Sequence, residues 1–92
     1  MSELVRVYLK IFGQVQGVYY RFTAKAEAEK LGLFGWVSNN DDDSVEIVAE
    51  GEKENLEKLI DWCKQGSFLA KVEKVDIDWQ KYTGEFKEFS II

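Results

Sequence analysis

The chain has 92 residues, 46% of them hydrophobic and 32% charged, which is the composition of one globular domain. Its 17 acidic and 12 basic residues give a net charge of −5, which argues against a nucleic-acid partner because such proteins present a basic face. No apolar run is long enough to span a bilayer, and the N-terminus lacks the features of a secretory leader. We therefore expect no membrane partner and a cytoplasmic location.

The first part of the chain predicts a strand, a loop, a helix and a second strand. Apolar and β-branched side chains recur at every second position over 4–12, which predicts a strand. The glycines within 13–20 predict a loop, and alanine, glutamate and lysine then dominate a predicted helix over about 20–31. Gly32 stands where a helix C-cap belongs, and a short strand is predicted over 36–39.

The second part of the chain predicts the same kinds of element. After a turn of asparagines and aspartates, a returning strand is predicted over 44–50, and Gly51 is expected to end it. Apolar residues at helical spacing predict a second helix over 53–65. A fourth strand is predicted over 72–79 and a short final strand over 86–91.

This order of elements is typical of the ferredoxin-like α+β fold, a βαββαβ sandwich. We expect one antiparallel sheet with two helices on one face, to which 86–91 can add a short fifth strand. In this topology the first two strands run in the same direction, with the returning strand between them. Their C-terminal ends then lie at one edge of the sheet, about 10 Å apart. The loop 13–20 and the end of the strand 36–39 can therefore face a common site.

The segment GQVQGVYYR, residues 13–21, is the first candidate for chemistry. Its backbone N–H groups lie between a strand and a helix N-terminus, an arrangement that favours bound anions. Arg21 lies in the first turn of the helix, where a cation is unfavourable unless an anion sits beside it. A guanidinium also matches phosphate oxygens with two donors. The alternative is that Gly13 and Gly17 only turn the chain and that Arg21 is solvated.

Asn39, at the end of the predicted strand 36–39, is the second candidate. A neutral amide is no base near neutral pH, but it can hold a water by donating and accepting hydrogen bonds. In phosphoryl transfer such positioning matters more than a strong base. The alternative is that Asn39 and Asn40 are simply turn residues.

Two other groups are expected to be structural. Cys63 lies on the apolar stripe of the second helix, and Leu69 stands where a cysteine phosphatase needs its arginine. Asp41, Asp42 and Asp43 lack the spacing of a calcium loop and predict a solvated turn. The absence of histidine excludes Ser-His-Asp triads, Cys-His pairs and histidine-ligated metals.

Taken together, GQVQGVYYR and the later LGLFGWVSN make the chain resemble the acylphosphatase family. The resemblance covers nearly the whole chain, through AEG at the end of the third strand and VEKVD in the fourth, so we expect residues 1–92 to form one domain of this family. It implies that Arg21 binds phosphate and that Asn39 positions the attacking water. It also implies that the phosphate cradle is lined by Gln16, Gly17, Val18, Tyr19 and Tyr20 together with Arg21. Family members usually carry phenylalanine, or glycine and phenylalanine, where this chain has the two tyrosines, so we expect their hydroxyls to bear on substrate preference.

The reaction implied by the resemblance is hydrolysis of an acyl phosphate to a carboxylate and phosphate. The substrate is then a small-molecule acyl phosphate, and we expect no metal and no cofactor. Nothing in the sequence demands more than a monomer, so we expect a monomer. Two other classes stay open at this stage. One is a regulatory module that binds acyl phosphate or phosphate without turnover, and the other is an RNA-binding ferredoxin-like domain, which the net charge of −5 disfavours.

Overall fold

The computed structural model describes residues 3–92 and forms, within them, two helices and a five-stranded sheet. The elements are β1 (Leu4–Gln14), α1 (Tyr20–Lys30), β2 (Phe34–Asn39), β3 (Val45–Glu52), α2 (Lys53–Gln65), β4 (Lys71–Gln80) and β5 (Phe89–Ile91). The strand order across the sheet is β4-β1-β3-β2-β5. All neighbours pair antiparallel except β2 and β5, which run parallel. The ferredoxin-like fold class is thus confirmed, with a mixed sheet rather than a wholly antiparallel one.

The core lies between the two helices and one face of the sheet. Alternate residues of β1 point into it, and the predicted apolar stripe of α2 is buried there. The fully buried members from these two elements are Val7, Leu9, Ile11, Leu56, Leu59 and Cys63. Small alanines on α1 let that helix lie close to the same face. Neither helix in the described residues is long and apolar enough to cross a membrane.

Strand register determines which way the end of β2 points. Asn39 pairs with Val45 on β3, and Val45 pairs in turn with Ile11 on β1. Ile11, Val45 and Val37 are fully buried on the helix side of the sheet. Because side chains alternate along a strand, Asn39, two residues after Val37, faces the same side as α1.

Several predicted boundaries differ from the structure, and two of the differences have a packing reason. Gly51 does not end β3 but lies inside it, paired with Val5. A Cβ atom at Gly51 would come within 2.6 Å of Leu33 Cδ2, so the glycine leaves room for the Leu33 side chain in the connection between α1 and β2. Phe86 lies outside β5, and its ring packs under the guanidinium of Arg6 at 5.1 Å from the ring centroid.

A buried carboxylate, Glu50, fastens the β4–β5 connection to β3. Glu50 is 1% exposed and accepts hydrogen bonds from Thr83 N (2.9 Å), Thr83 Oγ1 (2.8 Å) and Gly84 N (3.0 Å). Burial alone would raise the pKa of Glu50, but these hydrogen bonds and the nearby charge of Arg6 outweigh burial and lower it. The carboxylate is therefore ionised and its oxygens are well satisfied.

Candidate active site

The connection between β1 and α1 is a loop of unpaired backbone donors. Gly17 and Tyr19 have positive φ angles of 73° and 64°, and Tyr19 is the N-cap of α1. Among the described residues, the backbone N–H groups of 16–19 meet no hydrogen-bond acceptor, and the first backbone bond of the helix start runs from Thr23 N to Tyr19 O. The helix start also has no side-chain cap and no acidic residue in its first turn. Consecutive N–H groups and the positive end of the helix dipole are thus left available to an anion.

Side-chain hydrogen bonds tie this loop to two neighbouring connections. Ser67, 8% exposed and just after α2, donates its hydroxyl to Val18 O at 2.7 Å. Gln16 Nε2 donates to Asn40 O at 2.8 Å and to Ser44 O at 2.9 Å, both in the β2–β3 turn. The loop is therefore tied to two neighbouring connections rather than left free.

The two arginines of the chain have opposite surroundings. Arg6 is engaged on the sheet by Glu50 and Glu85. The guanidinium of Arg21, by contrast, has no carboxylate within ion-pair distance and no hydrogen bond to any of residues 3–92. Arg21 is half-buried at the start of α1, next to the unpaired amides. A cation held there beside the positive helix end is balanced only when an anion lies between them.

Asn39 presents an unsatisfied amide. Its Oδ1 atom is buried and has no hydrogen-bond partner among residues 3–92. A buried polar atom without a partner costs about 1–3 kcal/mol, so it marks a place where a further molecule, such as water, completes the hydrogen bonding. The amide can accept a hydrogen bond through Oδ1 and donate through Nδ2.

The loop, Arg21 and Asn39 surround one cavity of about 260 Å³. The lining residues are Val15, Gly17, Tyr19, Tyr20, Arg21, Phe22 and Asn39. Five of them were singled out from the sequence, whereas Val15 and Phe22 were not. Phe22 lies next to Arg21 but is 70% exposed, a position that no helical apolar pattern could have indicated.

Gln16 and Val18 lie in the same loop but do not line this cavity. The Gln16 amide points to the β2–β3 turn, and Val18 packs against the core. Both border a neighbouring cavity of about 360 Å³ together with Asp43. Contrary to the expectation from the resemblance, their side chains do not line the cavity, and only their backbone belongs to the loop beside it.

The two tyrosines differ in where their hydroxyls go. Tyr20 is 1% exposed, its ring packs on Trp62 and its hydroxyl donates to Cys63 O at 2.9 Å. Burial raises the pKa of Tyr20 well above its ordinary range. Tyr19 is 69% exposed at the cavity mouth. Of the two, only the Tyr19 hydroxyl is free to meet a substrate.

The groups expected to be structural behave as predicted. Cys63 is fully buried, and burial raises the pKa of its thiol to about 12, which makes it a poor nucleophile. Asp41, Asp42 and Asp43 are exposed in the β2–β3 turn. Hydrogen bonds from Ser44, reinforced by Lys10, lower the pKa of Asp42 to about 2. Within residues 3–92 no group of three or more potential ligands could hold a metal.

Together, the fold and the site define a ferredoxin-like α+β protein whose β1–α1 loop presents unpaired backbone N–H groups beside the Arg21 guanidinium. A model of the acylphosphatase family matches residues 7–91. The chain is 45% identical over 92 residues to an acylphosphatase of Roseiflexus sp., covering 100% of this chain and 99% of that one. It is 46% identical over 86 residues to an acylphosphatase of Pelotomaculum thermopropionicum, covering 94% of each.

The solved structures agree. The crystal structure of acylphosphatase from Bacillus subtilis superimposes with a TM-score of 0.92 at 35% identity, covering 96% of this chain and 98% of that one. This chain belongs to the acylphosphatase family.

Proposed function

We propose that this enzyme hydrolyses acyl phosphates by in-line attack of a water held by Asn39 on a phosphoryl group held by Arg21 and the loop amides of 16–21. In the balanced reaction, R–CO–O–PO₃²⁻ and water give R–COO⁻ and H₂PO₄⁻. The bond between phosphorus and the bridging oxygen breaks, and a new bond forms between phosphorus and the water oxygen. The phosphoryl oxygens take up the proton that the water loses.

The surroundings of Arg21 support its role as the phosphate ligand. Its guanidinium is unpaired within residues 3–92, whereas Arg6 is held by Glu50 and Glu85. Hydrogen bonds to a charged group contribute about 1.5–3 kcal/mol each. Several such bonds from one preformed cradle stabilise the charge on the three equatorial oxygens as the phosphoryl group transfers.

The lack of an acid or base in the cavity fits this substrate class. Arg21 and the two tyrosines are the titratable groups among the described lining residues, and none of them is a carboxylate or an imidazole. The carboxylate that leaves has an ordinary pKa of about 4, so it needs no proton to depart near neutral pH. With a loose transition state, the water needs positioning more than activation.

The observation that carries the proposal is the convergence of unpaired groups on one cavity. The unpaired amides, the free guanidinium and the unsatisfied Asn39 Oδ1 come from the ends of β1 and β2 and from the start of α1. The loop amides, Arg21 and Asn39 supply every role of the proposed reaction from within one chain, so we further propose that the enzyme acts as a monomer. Light scattering on the purified protein would test that point.

The main experiment measures benzoyl phosphate hydrolysis in the wild type, in Arg21→Gln and in Asn39→Ala. We expect Arg21→Gln to abolish turnover and to weaken competitive inhibition by inorganic phosphate, with the folded structure unchanged by circular dichroism. We expect Asn39→Ala to lower kcat but to leave the inhibition constant for phosphate nearly unchanged. Turnover in folded Arg21→Gln, or a wild-type kcat in folded Asn39→Ala, would contradict the role assigned to that residue. A wild type that binds phosphate without turnover would favour the regulatory module instead.

A further inference from the structure

The side chain of Gln16 links the two halves of the site. Gln16 belongs to the phosphate loop after β1, and its Nε2 donates to the carbonyls of Asn40 and Ser44, 24 and 28 residues further along the chain. Asn40 directly follows Asn39 and closes the hairpin through its own N–H to Ser44 O at 2.8 Å. The Gln16 amide therefore contacts both sides of the β2–β3 turn, directly after Asn39, the last residue of β2.

The count of donors shows what Gln16 cannot do. A glutamine amide has two N–H donors, and these two carbonyls use both of them. Its remaining atom, Oε1, is an acceptor and has nothing to offer the oxygens of a phosphate dianion. The Gln16 side chain is also absent from the lining of the cavity. Direct binding of the phosphoryl group by the Gln16 side chain is therefore excluded in this arrangement, and only its backbone N–H can take part.

Building on the proposed roles of Asn39 and the loop, we infer that Gln16 is a positioning residue that sets Asn39 relative to the phosphate cradle. Asn39 Oδ1 has no protein partner within residues 3–92. Its place is therefore set by the backbone of the hairpin end, which Gln16 ties to the loop. A water that must attack in line is sensitive to such placement, since a 1 Å error can cost about 100-fold in rate.

The test compares Gln16→Met with Gln14→Met. Methionine keeps the length of glutamine but has no donor, and the exposed Gln14 at the end of β1 provides a matched control outside the cavity. We expect Gln16→Met to lower kcat for benzoyl phosphate by about 10-fold or more while the inhibition constant for inorganic phosphate stays within about twofold. The control should change neither. A parallel rise in that inhibition constant would overturn the inference, as would an unchanged kcat with only a lower Tm.

A double-mutant cycle separates this inference from the proposed function. If Gln16 acts through Asn39, Gln16→Met should have almost no further effect on kcat in the Asn39→Ala background. Independent, multiplicative losses would overturn the inference while leaving the role of Asn39 intact, whereas full activity in Asn39→Ala alone would overturn the proposed function itself.

A second substitution covers the case in which Gln16→Met does not fold. Gln16→Leu removes both donors with a smaller side chain, so it should lower kcat by about 10-fold or more while the inhibition constant for inorganic phosphate stays within about twofold. A folded Gln16→Leu with the kcat of the wild type would overturn the inference.

Discussion

Replacing Arg21 by lysine separates two properties of the proposed phosphate-binding residue, its positive charge and the geometry of its guanidinium. The cavity offers the phosphoryl group a free guanidinium that can donate two parallel hydrogen bonds, and lysine keeps the charge but not the fork. Losing one charge-assisted hydrogen bond costs about 1.5–3 kcal/mol. Because each 1.36 kcal/mol corresponds to a factor of ten, Arg21→Lys should lower kcat/KM for benzoyl phosphate by about 10-fold to 150-fold.

The matched control is Arg6→Lys. Arg6 contacts Glu50 and Glu85 and lies over the ring of Phe86, on a part of the sheet that contributes nothing to the cavity. We expect this variant to lose about 1 kcal/mol of unfolding free energy in urea and to keep the kcat/KM of the wild type. If Arg21→Lys stays within about twofold of the wild type, or Arg6→Lys loses as much activity, the reasoning about the guanidinium is refuted.

Two further predictions concern stability. Because the pKa of Glu50 is lowered in the folded state, its contribution is fully present above the unfolded value of 4.5 and is lost as pH falls through the folded value. The free energy of unfolding, measured in urea, should therefore fall more steeply below pH 4.5 in the wild type than in Glu50→Gln. Equal slopes against pH in the two proteins would contradict this. Gly13→Ala places its Cβ 2.1 Å from Lys71 O, whereas Gly32→Ala, also at positive φ, meets nothing within 4 Å. Thermal unfolding should show Gly13→Ala to be less stable than Gly32→Ala by about 1–3 kcal/mol. Similar Tm values for the two variants would refute the clash.

The sequence predicted what depends on short-range pattern. The bounds of α2 follow from its apolar spacing, and Arg21 and Asn39 follow from a motif together with the order of the strands. The need for glycine at position 51 could not be found in this way. The atom that a side chain there would meet, Leu33 Cδ2, belongs to a residue distant along the chain. The same holds for β5, whose parallel pairing begins with Gly35 N donating to Glu88 O.

The role of Gln16 was hidden from the sequence for the same reason. A glutamine in a glycine-rich loop is expected to face the bound anion, and the resemblance placed it there. Its partners are two backbone carbonyls, Asn40 O and Ser44 O. Every residue has a backbone carbonyl, so the residue types at these positions do not indicate the contact. Motifs therefore identified the loop, but only the folded hairpin showed which way its side chains point.

A chain of net charge −5 can still bind an anion, because electrostatic interactions in water act over only a short distance. Exposed charges more than about 8–10 Å apart are largely screened at physiological salt, so the total charge has little influence inside the cavity. The nearby acidic turn is partly neutralised, since Asp42 pairs with Lys10 at 3.0 Å and accepts hydrogen bonds from Ser44. Arg21 and the loop amides act at hydrogen-bond distance, where direction and desolvation decide the energy. The net charge thus argues against long-range attraction of polyanions. It is compatible with a site that binds one phosphoryl group through direct hydrogen bonds.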